Sequence, residues 1–326
     1  MSDPPAPREP VTGAEQIPMP SVPGMTHRTV DVGGLGMHVA ETGSGPPVLL
    51  LHGWPQHWYA WRRVAPLLAA EHRVICPDLR GFGWSDAPEG SYAKATLAQD
   101  IVRLMDALEL ERTDLIGHDW GAWIGFLICL AHPRRVAHYL ALNMYTPWPE
   151  SPSPRTIAVI ARLWYQLVIA APGVGPAIIG RTPFVRSVIT AGAVHAAWSE
   201  EELRAFTEAL KAPERVRAST QLYRTFLLHE LWPFARGQFN DRRLAVPTLL
   251  LHGTGDLAVD HRALGRWRPH ADRMEVELRS DSGHFIAEEL PELVAARARS
   301  LFGSPVGELP IGDPIADRSL DGARDG

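Results

Sequence analysis

The segment Gly117-His118-Asp119-Trp120-Gly121 constrains this chain more than any other. It stands between an apolar strand-like run, Thr113-Asp114-Leu115-Ile116, and an apolar helix-like run, Ala122 to Ala131. Small residues around one larger side chain, placed between a strand and a helix, describe a tight elbow that lifts that side chain into the open. Such an elbow usually presents a serine; here it presents Asp119. A serine activated by histidine suits acyl transfer, whereas a carboxylate suits displacement at a saturated carbon. A Gly-x-Asp-x-Gly run also occurs in ordinary turns and helix caps, so its meaning depends on three further segments.

The first is His52-Gly53-Trp54-Pro55-Gln56, just after the apolar run Leu49 to Leu51. A glycine-containing turn there can aim the backbone N–H of Trp54 at the point reached by the N–H of Trp120, and two such donors make an oxyanion hole. The second is Leu251-His252-Gly253-Thr254-Gly255-Asp256. An acid at the carboxyl end of a strand is placed to hold a histidine in one tautomer. Asp260 is the nearby rival, and Asp256 is preferred because it lies closer to the strand end. The third is Ser282-Gly283-His284-Phe285, after the last strand-like run, where His284 completes the chain order nucleophile, acid, histidine.

Strand-like runs at 28–32, 37–41, 48–51, 73–76, 113–116, 136–142, 246–251 and 274–278 are interleaved with helical stretches at 58–70, 95–110, 122–131 and 287–300. That rhythm predicts an α/β fold, a mostly parallel central sheet covered by helices on both faces. The rhythm breaks at Pro147, and from there to about Gln238 the chain is helical, aromatic and interrupted by prolines. Residues 146–240 therefore read as a helical cap inserted into a core made of 27–145 and 241–303. Caps over the carboxyl ends of parallel strands enclose ligands. The first 26 residues, rich in proline, read as a disordered lead, and 304–326 as a flexible tail.

With 326 residues the chain can bury one large core, and its net charge of −5 implies neither nucleic acid nor an anionic membrane surface as partner. No run is long and apolar enough to span a bilayer, and no signal-peptide core is visible, so a soluble cytoplasmic protein is expected. Cys76 and Cys129 lie in apolar stretches and read as buried thiols. Nothing has the spacing of a metal cluster or a phosphate-binding loop, so no cofactor and no metal is expected. A homodimer is compatible with the sequence and not specified by it. The lysines, at 94 and 211 only, read as a compositional bias toward arginine.

The motifs HGWPQ (52–56), DLRGFGWSD (78–86), GHDWGA (117–122), GTGD (253–256) and SGHF (282–285) together resemble the α/β-hydrolase superfamily across about residues 27–302. Within it the chain is similar to the branch with an aspartate nucleophile, the epoxide hydrolases and the haloalkane and haloacetate dehalogenases. The resemblance implies hydrolysis of a hydrophobic epoxide to a vicinal diol, through an ester on Asp119 that His284-activated water then cleaves. Trp164-Tyr165-Gln166-Leu167 and Leu222-Tyr223-Arg224 are similar to the cap motifs in which epoxide hydrolases hold two tyrosine proton donors, which implies that role for Tyr165 and Tyr223.

Halide leaving groups need N–H donors instead, and Trp120 with Trp148, Trp164, Trp198 or Trp232 offers them, so a haloalkane dehalogenase is the alternative. Haloacetate dehalogenases resemble this chain in HGWPQ but hold the substrate carboxylate with arginines where Trp120 and Trp123 stand here. A carboxylate buried there without a cation would cost several kcal/mol, which makes haloacetate the poorest of the three. An ester hydrolase, lacking its serine, and a non-catalytic small-molecule binder are the remaining readings. The expected partners are water and a small hydrophobic substrate, which the aromatic cap residues Phe184, Trp198, Phe226, Trp232 and Phe234 would surround.

Overall fold

The computed structural model describes residues 18–149, 164–195 and 198–304. The expected lead up to residue 17, the tail from 305, and 150–163 and 196–197 of the expected cap lie outside these residues. Eight strands form one sheet: β1 (Thr26–Asp31), β2 (Gly36–Thr42), β3 (Pro47–Leu51), β4 (Arg73–Pro77), β5 (Thr113–His118), β6 (Val136–Leu142), β7 (Thr248–Gly253) and β8 (Met274–Arg279). Their order across the sheet is β1-β2-β4-β3-β5-β6-β7-β8. β2 runs antiparallel to both its neighbours, and every pairing from β4 to β8 is parallel.

Alternate residues of the central strands feed two separate cores. Leu49 and Leu51 of β3 pack on one face with Leu115 and Ala141, and Val48 and Leu50 pack on the other with Ile116, Leu140 and Leu142. The period of two explains the uninterrupted apolar runs: both faces are covered. α2 (Lys94–Ala107) and α3 (Trp120–Ala131) cover the first face, α1 (Ala65–Leu68) and the helix Pro291–Phe302 the second. Truncating a side chain such as Leu50 to Ala at this depth costs about 2–5 kcal/mol. Cys76 and Cys129 are buried and unpaired.

Three local details differ from the sequence reading. The stretch 58–70 is a 3₁₀ turn, Trp58–Trp61, followed by the short α1, because the Trp58 and Trp61 side chains are fully buried and the His57 ring caps the turn at Tyr59 N–H. The terminal helix is two pieces, Ile286–Glu289 and Pro291–Phe302. Leu290, ahead of a proline, takes a non-helical backbone (φ −133°, ψ 55°). Met19, Val22 and Met25, in the stretch read as a disordered lead, lie partly buried against the second core.

Between β6 and β7 the described residues are helical: Trp164–Ala170, Val174–Arg181, Phe184–Ala191, Glu200–Ala209 and Pro213–Thr225. The last of these runs through a π-turn, Phe226–Glu230, into Leu231–Ala235. A buried ionic network ties them to the core. Arg62 bonds Glu202 of the helix Glu200–Ala209 and also Glu288, which accepts in addition from Gln56 Nε2 at 2.9 Å. No helix among the described residues is long and apolar enough to cross a membrane.

Candidate active site

Parallel strands deliver their carboxyl ends to one edge of the sheet, and ligands bind in α/β proteins outside that edge. His52 follows β3, Asp119 follows β5, Asn143 follows β6, Asp256 follows β7 and His284 follows β8. Five consecutive turns of adjacent strands thus converge on one place.

Asp119 is the N-cap of α3 and sits at φ 52°, ψ −125°, a strained conformation for a residue with a Cβ. The glycines make this elbow sterically possible. A Cβ on Gly121 would collide with the Leu51 carbonyl, and one on Gly53 would collide with Asp119 itself. The bare Gly53 lets the next peptide approach, and Trp54 N–H donates to Asp119 Oδ2 at 3.0 Å. The backbone N–H of Trp120 also favours the ionised form of this carboxylate. The two amides that the sequence pairs as donors therefore both act on one side chain.

His284 lies on the other side. Its Nδ1 is 2.8 Å from Asp256 Oδ2, and its Nε2 is 3.8 Å from Asp119 Oδ1. Asp256 is held in turn by the N–H groups of Ala258 (2.7 Å) and Val259 (2.9 Å) on Oδ1. Asn143 Nδ2 donates to its Oδ2 at 2.9 Å. Asp260, the rival acid, pairs with Arg262 instead.

Burial sets the charges. Desolvation pushes the Asp119 carboxyl up to about 6, against the pull of His284 and the two amides. Burial would lower His284, but the Asp256 charge and hydrogen bond, with Asp119 adding, raise it to about 9. Asp256 is also desolvated, yet His284 holds its carboxyl well below the usual carboxylate range.

Tyr165 and Tyr223 arrive from the helices between β6 and β7. Their ring centroids are 6.1 Å apart, and the Tyr223 ring stands edge-on to Trp54 (5.3 Å) and Trp120 (5.8 Å). The Trp120 side chain and Tyr165 both act on the ionisation of the Tyr223 hydroxyl. Burial raises both phenols above their ordinary value, helped by the Asp119 charge at Tyr165 and by Tyr165 and then Asp119 at Tyr223, which keeps them protonated. The structure thus brings together Asp119, His284, Asp256, Tyr165, Tyr223, Trp54 and Trp120.

The four further tryptophans are spent elsewhere. Trp148 Nε1 donates to the Phe239 carbonyl, Trp198 packs on Phe285, and Trp164 and Trp232 are exposed.

Three residues of this neighbourhood have no place in the sequence reading. Asn143 stands at φ 47°, a left-handed backbone that Asn tolerates better than most, and it also donates to the Gly283 carbonyl at 3.0 Å. Its position directly after an apolar strand was a usable signal. His118, whose pKa burial lowers to about 3, is neutral and donates Nε2–H to the His284 carbonyl at 2.7 Å. Lys94 lies against the Trp120 ring.

The alpha/beta hydrolase fold family matches residues 46–291. A soluble epoxide hydrolase of Corynebacterium sp. (strain C12) is 30% identical over 284 residues, covering 85% of this chain and 97% of the relative. A fluoroacetate dehalogenase of Burkholderia sp is 32% identical over 294 residues, 86% of this chain and 94% of the relative. Among solved structures, epoxide hydrolase CorEH without ligand superposes with a TM-score of 0.76 at 29% identity, over 85% of this chain and 98% of that one. The chain belongs to the alpha/beta hydrolase fold family, among its epoxide-hydrolase-like enzymes.

Proposed function

We propose that the protein hydrolyses hydrophobic epoxides to vicinal diols, with Asp119 as nucleophile. The observation that carries this reading is the meeting of Tyr165 and Tyr223, ring centroids 6.1 Å apart, with Tyr223 edge-on to Trp54, whose N–H binds the buried Asp119 carboxylate. An epoxide oxygen leaves as an alkoxide and needs an acid; a ring carbon needs a nucleophile on its other side.

In the first step Asp119 Oδ1 attacks a ring carbon, the C–O bond opens, and Tyr165 or Tyr223 gives its proton to the departing oxygen. The product is a hydroxyalkyl ester of Asp119. Oδ2 stays with the Trp54 amide, so the ester carbonyl already has one oxyanion-hole donor, and the Trp120 N–H is the second this mechanism calls on. Formation of the ester also removes a negative charge beside His284, one of the influences that raises its basicity. The imidazole can then give up its proton to the tyrosinate and serve as base. In the second step His284, oriented by Asp256, takes a proton from water, which attacks the ester carbonyl. The oxyanion on Oδ2 meets two N–H donors, each typically contributing on the order of 3 kcal/mol to such a barrier. Collapse breaks the ester C–O bond, and the departing alkoxide takes the proton from His284 and leaves as the diol. The Asp119 carboxyl gives its remaining proton back to His284, which restores the carboxylate and the charged imidazole.

Halide displacement by the same carboxylate is the second reading. The fluoroacetate dehalogenase relative favours it, as does the buried Trp54 indole N–H, which has no hydrogen-bond partner among the described residues. A haloacetate fits less well, since tryptophans occupy 120 and 123 and the buried Lys94 ammonium is engaged by Glu230.

Single-turnover mass spectrometry of His284→Gln tests the reading with styrene oxide and, separately, 1-bromobutane. An adduct on Asp119 from the epoxide is expected. An adduct from the bromide alone would move the protein to the dehalogenases, and none from either would exclude both.

A further inference from the structure

α2 begins at Lys94, whose side chain is wholly buried. A lysine is hardly ever buried to that extent without partners that satisfy its charge. Its Nζ lies 2.8 Å from Glu230 Oε2 and donates to the Leu222 carbonyl at 2.7 Å. It also sits 4.5 Å from the centroid of the Trp120 ring, a cation–π contact. The other oxygen of Glu230, Oε1, accepts the backbone N–H of Lys94 at 2.8 Å. It caps a helix whose own N-cap residue, Ala93, has no side chain to do so.

Each partner belongs to the part of the site that would handle the leaving oxygen. The Leu222 carbonyl is in the peptide group that leads into Tyr223. Glu230 ends the π-turn Phe226–Glu230, which continues the Tyr223 helix, and irregular turns of this kind often mark functional positions. Trp120 follows the nucleophile, and its ring meets the Tyr223 ring edge-on, centroids 5.8 Å apart.

We propose that Lys94 is a positioning residue for epoxide opening: it pins the Tyr223-bearing turn and the Trp120 indole to the start of α2, and so fixes the Tyr223 hydroxyl beside Asp119. The assignment rests on the epoxide-hydrolase reading above. A methionine has nearly the length of a lysine and can fill the same space, but it cannot hold the Glu230 carboxylate or the Leu222 carbonyl. Glu230 is attached to the core chiefly through this one residue, by both the backbone N–H and the ammonium. Burial lowers the ammonium to about 8, opposed first by Glu230 and then by Asp119, so at neutral pH it remains mainly charged.

Lys94→Met, followed through one turnover of styrene oxide by intact mass, separates the two chemical steps. Ester formation on Asp119 should slow about 10- to 100-fold, as expected for losing hydrogen bonds to a charged group. Ester hydrolysis, which depends on His284, should keep its rate. In a Tyr223→Phe background, Lys94→Met should cost ester formation little more, because the two residues act as one unit. Equal slowing of both steps, or full additivity in that background, overturns the proposal.

Hydrogen exchange of the peptide spanning 222–231 tests the tether without activity. It should quicken in Lys94→Met and, less, in Glu230→Gln, while exchange in β7 is unchanged. Unchanged exchange at 222–231 in both variants overturns the tether. Failure of the wild-type chain to form any epoxide adduct would sink the functional reading, and the exchange result would still decide whether Lys94 holds this turn.

Discussion

Asp119 Oδ1 and His284 Nε2 face each other at 3.8 Å, beyond hydrogen-bonding reach, while Asp119 Oδ2 is bound to the Trp54 amide. The two carboxylate oxygens are therefore unequal. One is held by a backbone N–H, and the other faces the histidine without being tied to it. In the proposed mechanism attack falls to Oδ1 and the oxyanion to Oδ2, which makes the source of the diol oxygen testable. In one turnover in oxygen-18 water, the heavy oxygen should enter the peptide that contains Asp119 and leave the diol unlabelled. A labelled diol after a single turnover would mean that water attacks the epoxide directly, with Asp119 as base.

The raised carboxyl of Asp119 predicts a pH profile and a stability effect. Ester formation needs the ionised form, so its rate should climb as pH rises through about 6 and level off above. The folded value lies above the ordinary 3.8, so the proton is bound more tightly by the folded chain than by the unfolded one. The stability from this group is then complete below the unfolded value and is lost as pH rises through about 6. Asp119→Asn should accordingly be more stable than the wild type above that range, by roughly 1–3 kcal/mol, with the difference fading in acid. Urea unfolding at both ends of the range checks this. A less stable Asn variant at neutral pH would mean that desolvation of Asp119 is outweighed by its neighbours.

Much of this candidate site was legible because its residues sit where strands end. The elbow, the Trp54 turn, Asp256 and His284 each follow an apolar run, and strand ends can be read from a linear sequence. Tyr165 and Tyr223 have no such local marker; only the likeness to known cap motifs separated them from packing aromatics. Lys94 and Glu230 stand 136 residues apart, and an ion pair across that distance leaves no periodicity to detect. Lys94 even looked like a compositional accident. The helix expected at 58–70 fails for another reason. Its tryptophans are spaced to fill the core beneath the sheet, and a 3₁₀ turn serves that packing better than a continuous helix.

Asn143 offers a test of how His284 is aimed. Its amide donates to the same Asp256 oxygen that accepts from His284, and to the Gly283 carbonyl next to the histidine. Asn143→Ala should slow ester hydrolysis about 10- to 100-fold, the range for a hydrogen bond to a charged group, and leave ester formation nearly unchanged. Asn143→Gly relieves any strain at φ 47° without restoring the bonds, so it should be as slow as the Ala variant. Recovery of the hydrolysis rate in the Gly variant would assign the effect to the backbone and not to the amide.

Tyr223→Phe separates the two ways in which this carboxylate could be used. The phenol is fully protonated over the working pH range, because burial and the Asp119 charge both oppose its ionisation. An epoxide oxygen needs that proton, whereas a bromide leaves as a stable anion and needs only N–H donors such as the Trp120 indole. Removing the hydroxyl should therefore slow ester formation from styrene oxide by about 100-fold or more, in the range lost with a general acid. Ester formation from 1-bromobutane, where it is measurable, should change by less than about tenfold, since the ring and its edge-on contacts with Trp54 and Trp120 are retained. A Tyr165→Phe variant should show the same direction of preference. Equal losses for epoxide and bromide would reduce Tyr223 to a packing residue, and the proton would then have to come from Tyr165 or from His284 in its charged form.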